Sequence, residues 1–241
     1  GFRVADAANT FTVSQGLNQT TGGLAVSGAG TLLLSGTNSY SGATSVTGGG
    51  LRLDYGTNNS TKLSDTTALT LTGAAVTLAG GSHKEVVGST TLIGRNSVSR
   101  SNGTAQLQAG TLTLSNNPVL DVSGTGILLV NNTNTNGILG GWATVAGSDW
   151  AYKTTTGTTN GSVGAYVGYT PSTTGSLGTT TGNTTVATSG TVGNATVNSL
   201  RFGAAQAYTL TNTGTWTLTS GGILVGSGLG GVTNAITGGT M

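Results

Sequence analysis

Gly28–Leu53 reads GAGTLLLSGTNSYSGATSVTGGGLRL. Leu32 and Leu34 alternate with Thr31, Leu33 and Ser35, after which glycine and Asn38 mark a turn. Leu51 and Leu53 then alternate with Arg52 and Asp54, so a strand here buries both leucines and turns both charges to solvent. The same alternation recurs along the chain in Leu69 with Leu71, Leu112 with Leu114, Leu120 with Val122, and Trp216 with Leu218. Leu32, Leu51 and Leu69 follow one another at intervals of about 18 to 20 residues, which suits one coil of a solenoid turned at glycine and asparagine corners. A β-sandwich would instead join paired strands through signals such as Asn-Gly. Asn136-Gly137 and Asn160-Gly161 keep that alternative in play.

Composition narrows the classes. The chain has 241 residues, 44 of them glycine, and roughly a fifth are threonine. Charged residues make up 6%, against ~25% in ordinary soluble domains. Glycine and threonine are poor helix formers, which argues against helical bundles and coiled coils. Two prolines and no Gly-X-Y period exclude a collagen triple helix. With 35% hydrophobic residues in alternating clusters, charge-driven disorder fits badly. An all-β chain of many short strands survives. The net charge of +2 comes from 8 basic and 6 acidic residues scattered along the chain, without the basic stripe of a nucleic-acid binder. Cysteine is absent, so disulfides and thiolate chemistry are unavailable, and no apolar run is long enough for a membrane-spanning helix.

Gly28, Gly30, Thr31, Leu32, Leu34, Ser35, Gly36, Asn38, Tyr40, Gly42, Thr44, Val46, Gly49, Leu51 and Leu53 together resemble the autotransporter-associated β-strand repeat of bacterial surface proteins. Partial copies lie at Ala109–Ser115 (AGTLTLS) and Gly214–Gly222 (GTWTLTSGG), without the Asn-x-Tyr-x-Gly centre. Ile138–Lys153 (ILGGWATVAGSDWAYK), with NSLRF at Asn198–Phe202 and GGILV at Gly221–Val225, is similar to recurring blocks of very long repeat-bearing bacterial surface proteins. The resemblance implies a right-handed parallel β-helix folded outside the cell, within a large exported polypeptide. The outer-membrane barrel of such polypeptides is not in this sequence. Stacking physics agrees: threonine and valine favour strands, aligned Thr or Asn side chains form ladders, and coils of about 20 residues at ~4.8 Å spacing would number roughly a dozen.

The expected organisation is solenoid repeats over 1–150, a Thr/Gly/Ser/Asn-rich excursion or set of narrow coils over 151–196, and further solenoid over 197–241, within a piece of a longer chain. Catalysis has little material. The single histidine, His83, lies in Ser82-His83-Lys84-Glu85 and reads as a solvated loop, since neighbours in a strand face opposite ways. The carboxylates are Asp6, Asp54, Asp65, Glu85, Asp121 and Asp149, and one coil beyond Asp54 falls near Thr72, which offers no second carboxylate. A polysaccharide-processing β-helix is therefore the weakest reading, with Asp121 and Asp149 as its residues. No Gly-Gly-x-Gly-x-Asp calcium repeat occurs, and no cofactor, metal or catalytic residue is expected. Trp142, Trp150 and Tyr166 are the candidates for glycan contact, although large aromatics more often fill interiors. The expectation is a non-enzymatic, extracellular structural module at the bacterial cell surface that self-associates into a filament or matrix. An adhesin that binds surface glycans is the alternative.

Overall fold

Alternation in Thr31–Leu34 sets the pattern: Leu32 and Leu34 have no solvent exposure, while Thr31 and Leu33 face out. In the computed structural model, which describes residues 1–18, 21–157 and 159–239, this strand lies parallel to Thr10–Val13 on one side and to Gly50–Asp54 on the other. The ladder continues through Ala75–Ala79 to the second half of the long strand Ser89–Arg100 and then to the second half of Leu112–Val122. One rung runs Phe11, Leu32, Leu51, Val76, Val98, Val122 in register from coil to coil, interior from Leu32 to Val122 and exposed at Phe11. A second ladder joins Phe2–Arg3, Leu24–Ser27, Thr44–Thr47, Ala68–Thr72, Ser89–Ile93 and Leu112–Ser115 in parallel register. A third joins Lys84–Val86, Gln106–Gly110 and Leu128–Val130. The fold is a parallel β-solenoid of about 11 turns with no helix among the described residues.

The chain divides into two compact units, Gly1–Thr133 with Lys153–Gly164, and Asn134–Tyr152 with Ala165–Met241. The three ladders above belong to the first. In the second, Thr170–Pro171, Asn183–Thr185, Ser199–Phe202 and Ile223–Val225 stack in parallel, as do Gly190–Val192, Thr209–Asn212 and Ala235–Thr237. Its coils close on a buried cluster that includes Leu177, Val192, Phe202, Tyr208, Leu210 and Trp216. Segment 151–196 thus carries short strands of its own, Asn183–Thr185, Gly190–Val192 and Ala195–Val197 among them.

Two expectations from spacing need correction. Leu32 does stack on Leu51, but Leu51 stacks on Val76, and Leu69 belongs to the second ladder between Thr44 and Thr90. Coil length is not constant: Thr31 pairs with Gly50, and Gly50 with Ala75. The longer coil contains a strandless segment between Asp54 and Ala68. For the same reason the residue one coil beyond Asp54 is Ala79, not Thr72.

The first Asn-Gly signal makes a local turn. Asn136 and Gly137 have φ of 50° and 90°, and Thr135 and Ile138 on either side exchange backbone hydrogen bonds at 2.7 and 3.2 Å. That is a tight two-residue turn of the hairpin kind. Leu128–Val130 pairs antiparallel with the strand beginning at Gly161, and Ala143–Val145 pairs antiparallel with Asp149–Lys153. At the corner before Thr31, Gly28 has φ of 103°, and a Cβ there would come within 2.2 Å of the Val4 carbonyl oxygen. Only glycine fits that approach.

Candidate functional site

The repeat motif is the inward face of one coil. Gly30, Leu32, Leu34, Gly36, Asn38, Tyr40, Thr44 and Val46 are all buried, and the alternation runs through the strandless corner 35–43 as well as through the strands. Its polar members are spent on the fold. Asn38 Oδ1 accepts from the Leu17 backbone N–H at 2.9 Å, and its Nδ2 donates to the Lys62 carbonyl at 2.9 Å, so one amide links three successive coils. Tyr40 Oη and Thr44 Oγ1 are 2.7 Å apart in the interior, and burial pushes the Tyr40 hydroxyl up to about 12. Gly42 lets the backbones touch, since a Cβ would sit 2.5 Å from the Gly23 nitrogen.

The densest group of titratable side chains lies in the next corner. Glu85 has no exposure, although its side chain is ionisable. Its carboxylate accepts from Tyr55 Oη at 2.6 Å, from the Lys62 backbone N–H at 2.9 Å and from the Leu63 N–H at 2.8 Å. Burial raises the carboxyl above the usual range, against the lowering effect of these three hydrogen bonds. Burial also raises the Tyr55 hydroxyl and lowers the Lys62 ammonium. That ammonium donates to the Asn58 carbonyl at 2.8 Å and lies 5.4 Å from the centre of the Tyr55 ring. His83 is not a freely solvated loop residue. Its ring stacks on Tyr55 at 5.2 Å, and Nε2 is 4.0 Å from Glu85 Oε2, with burial lowering the imidazole. Ser82, by contrast, is exposed and accepts from Asn59 Nδ2 at 3.4 Å, so the two neighbours diverge and make no nucleophile–base pair.

In the second unit Asn198 holds a polar ladder. Its Oδ1 accepts from Asn136 Nδ2 at 3.1 Å and Thr219 Oγ1 at 3.2 Å, and its Nδ2 donates to Asn183 Oδ1 at 2.7 Å. Arg201 pairs with Asp149 at 2.9 Å, donates to the Ser148 carbonyl at 2.8 Å and lies 4.7 Å from the centre of the Tyr169 ring. Of the aromatic candidates for glycan contact, Trp150 is buried with Ile138 and Leu224, so its faces are closed to a sugar. Trp142 and Tyr166 are half-buried, and Tyr166 meets Tyr152 and Tyr169 edge to face at 6.2 and 5.0 Å. Asp54 caps its own turn through the Gly56 N–H at 2.9 Å. Among the described residues no group of three His, Asp or Glu side chains is arranged to hold a metal ion.

Sequence reading missed Glu85 as a hub and the Asn183–Asn198 ladder. A signal for the first was present: Glu85 and Val87 alternate with Lys84 and Val86, which places the carboxylate on the face of a buried valine.

Parallel coils closed by side-chain hydrogen bonds define a structural β-solenoid. Residues 24–53 match the family model of the passenger-associated-transport-repeat, and the chain carries this autotransporter-associated repeat. The match spans four strands, from Leu24–Ser27 to Gly50–Asp54. The repeat is a structural element of passenger-domain β-helices in transport-associated surface proteins. No curated protein and no solved structure matches the chain.

Proposed function

We propose that the chain is a non-enzymatic, extracellular structural module of a bacterial surface or secreted protein that self-associates end to end into a filament or matrix. The observation that carries this reading is the use made of polar side chains. Asn38, Glu85, Asn96 and Asn198 bond to neighbouring coils or to their own corners, which serves rigidity. Low charge leaves little like-charge repulsion between copies. Parallel strands with aligned polar rungs are a geometry that extends by adding coils. Sedimentation velocity across a concentration series tests the reading: growth into large, trypsin-resistant species is expected. A chain that stays dispersed at high concentration and is cut quickly by trypsin contradicts it.

The second reading, a glycan-binding passenger segment, draws support from the half-buried Tyr152 and Tyr166 beside the exposed Val167. It predicts saturable binding on a glycan array that Tyr166→Ala weakens at least tenfold, the loss of about 1.4 kcal/mol from one stacking ring. Equal binding by the variant, or none by the parent, removes it.

A further inference from the structure

Glu85 occupies a place where the coils above carry leucine. In the third ladder it stacks on Leu107, and Leu107 on Leu128, both buried. The main interior rung of the first ladder repeats similar apolar residues from coil to coil, Leu32, Leu51, Val76 and Val98. Rungs of that kind hold a coil in place without saying which coil it is, and a stack of them tolerates a shift by one whole coil.

The donors on Glu85 belong to the strandless segment from Tyr55 to Leu63, where the carboxylate takes the Lys62 and Leu63 N–H groups and the Tyr55 hydroxyl. Asn38 holds this segment from the preceding coil, through the Lys62 carbonyl. Glu85 holds it from the following one. If the coil carrying Leu107 took that place, the Lys62 and Leu63 N–H groups and the Tyr55 hydroxyl would lose their common acceptor.

We propose that Glu85 is a register key, the side chain that selects its own coil, over its near-equivalents, to lie on the 55–63 segment. A buried charge is a poor source of net stability, because desolvation offsets its attractions, but a buried polar group can fix register among otherwise equivalent apolar packings. Lys62 and His83 complete the recognition, one against the Tyr55 ring by its ammonium and the other by stacking.

The absence of cysteine makes the test direct. Thr77 and Ser99 stack in the native register, with their hydroxyls 3.0 Å apart, so Thr77→Cys with Ser99→Cys reports the native stack. Arg52 stacks on Thr77 and lies two coils from Ser99, a separation of about 9.6 Å that a disulfide does not span. A one-coil shift brings those two together, so Arg52→Cys with Ser99→Cys reports the wrong stack. Each pair is placed in the full chain, refolded from denaturant under reducing conditions and then oxidised.

With Glu85 present, the native pair closes and the shifted pair does not. Glu85→Leu makes the position equivalent to Leu107, and the shifted pair then closes in a substantial fraction of molecules, with a matching loss of the native cross-link. Glu85→Gln, which keeps an acceptor, retains the native pattern. Leu107→Ala, which removes stability from the same rung without touching the key, also retains it. Native cross-linking alone in Glu85→Leu overturns the proposal. So does a Glu85→Leu chain that fails to fold in any register, because Glu85 would then be a source of stability and not of selection.

Discussion

At the scale of single residues, the buried polar side chains divide by their cost. Asn38 is neutral and replaces missing backbone partners at both coil faces. Glu85 does similar work with an ionisable carboxyl, and burial disfavours its charged form. Because its carboxyl is raised in the folded chain, its contribution is fullest below the ordinary carboxylate pKa and declines as pH rises through the raised value. The native protein should therefore gain urea resistance relative to Glu85→Gln as the pH is lowered from neutral toward the usual carboxylate range. The other carboxylates are common to both proteins and largely cancel in the difference. A gap that is flat with pH, or that widens in favour of the native chain on raising the pH, contradicts the burial argument.

At the scale of strands and coils, inward and outward positions should differ sharply. Leu53 is fully buried between Leu34 and Leu78, whereas Leu33 on the neighbouring strand faces out. Leu53→Ala should cost about 2–5 kcal/mol in urea unfolding, and Leu33→Ala roughly 1 kcal/mol or less. Equal losses would mean that the rung assignment is wrong. This distinction was legible in the sequence, because alternation over Thr31–Leu34 and Gly50–Asp54 leaves each leucine one choice of face. The Leu32–Leu51 rung was legible for the same reason. The step from Leu51 was not: the strandless stretch before Ala68 lengthens that coil, and spacing alone cannot distinguish a longer coil from a change of ladder. Glu85 escaped because a charge beside Lys84 reads as surface, although its alternation with Val87 points to the inward face on which the leucines stack. In 151–196 few large apolar residues mark the inward positions, so its short strands left little trace.

At the scale of the whole chain, the basic residues are few and several are withdrawn from solvent. Lys62 and Lys153 are almost wholly buried, with the Lys153 ammonium held by the carbonyls of Asn131, Gly157 and Thr159. Arg201 is tied to Asp149 and Ser148. These features suit a protein that lasts in the presence of proteases and acts through its physical form. Self-association is the central claim, and electron microscopy of the purified chain with image averaging tests it most directly. The account predicts continuous filaments with an axial repeat of ~4.8 Å, the spacing of parallel strands stacked along the filament. Dispersed single particles that never join, at any concentration, would contradict it.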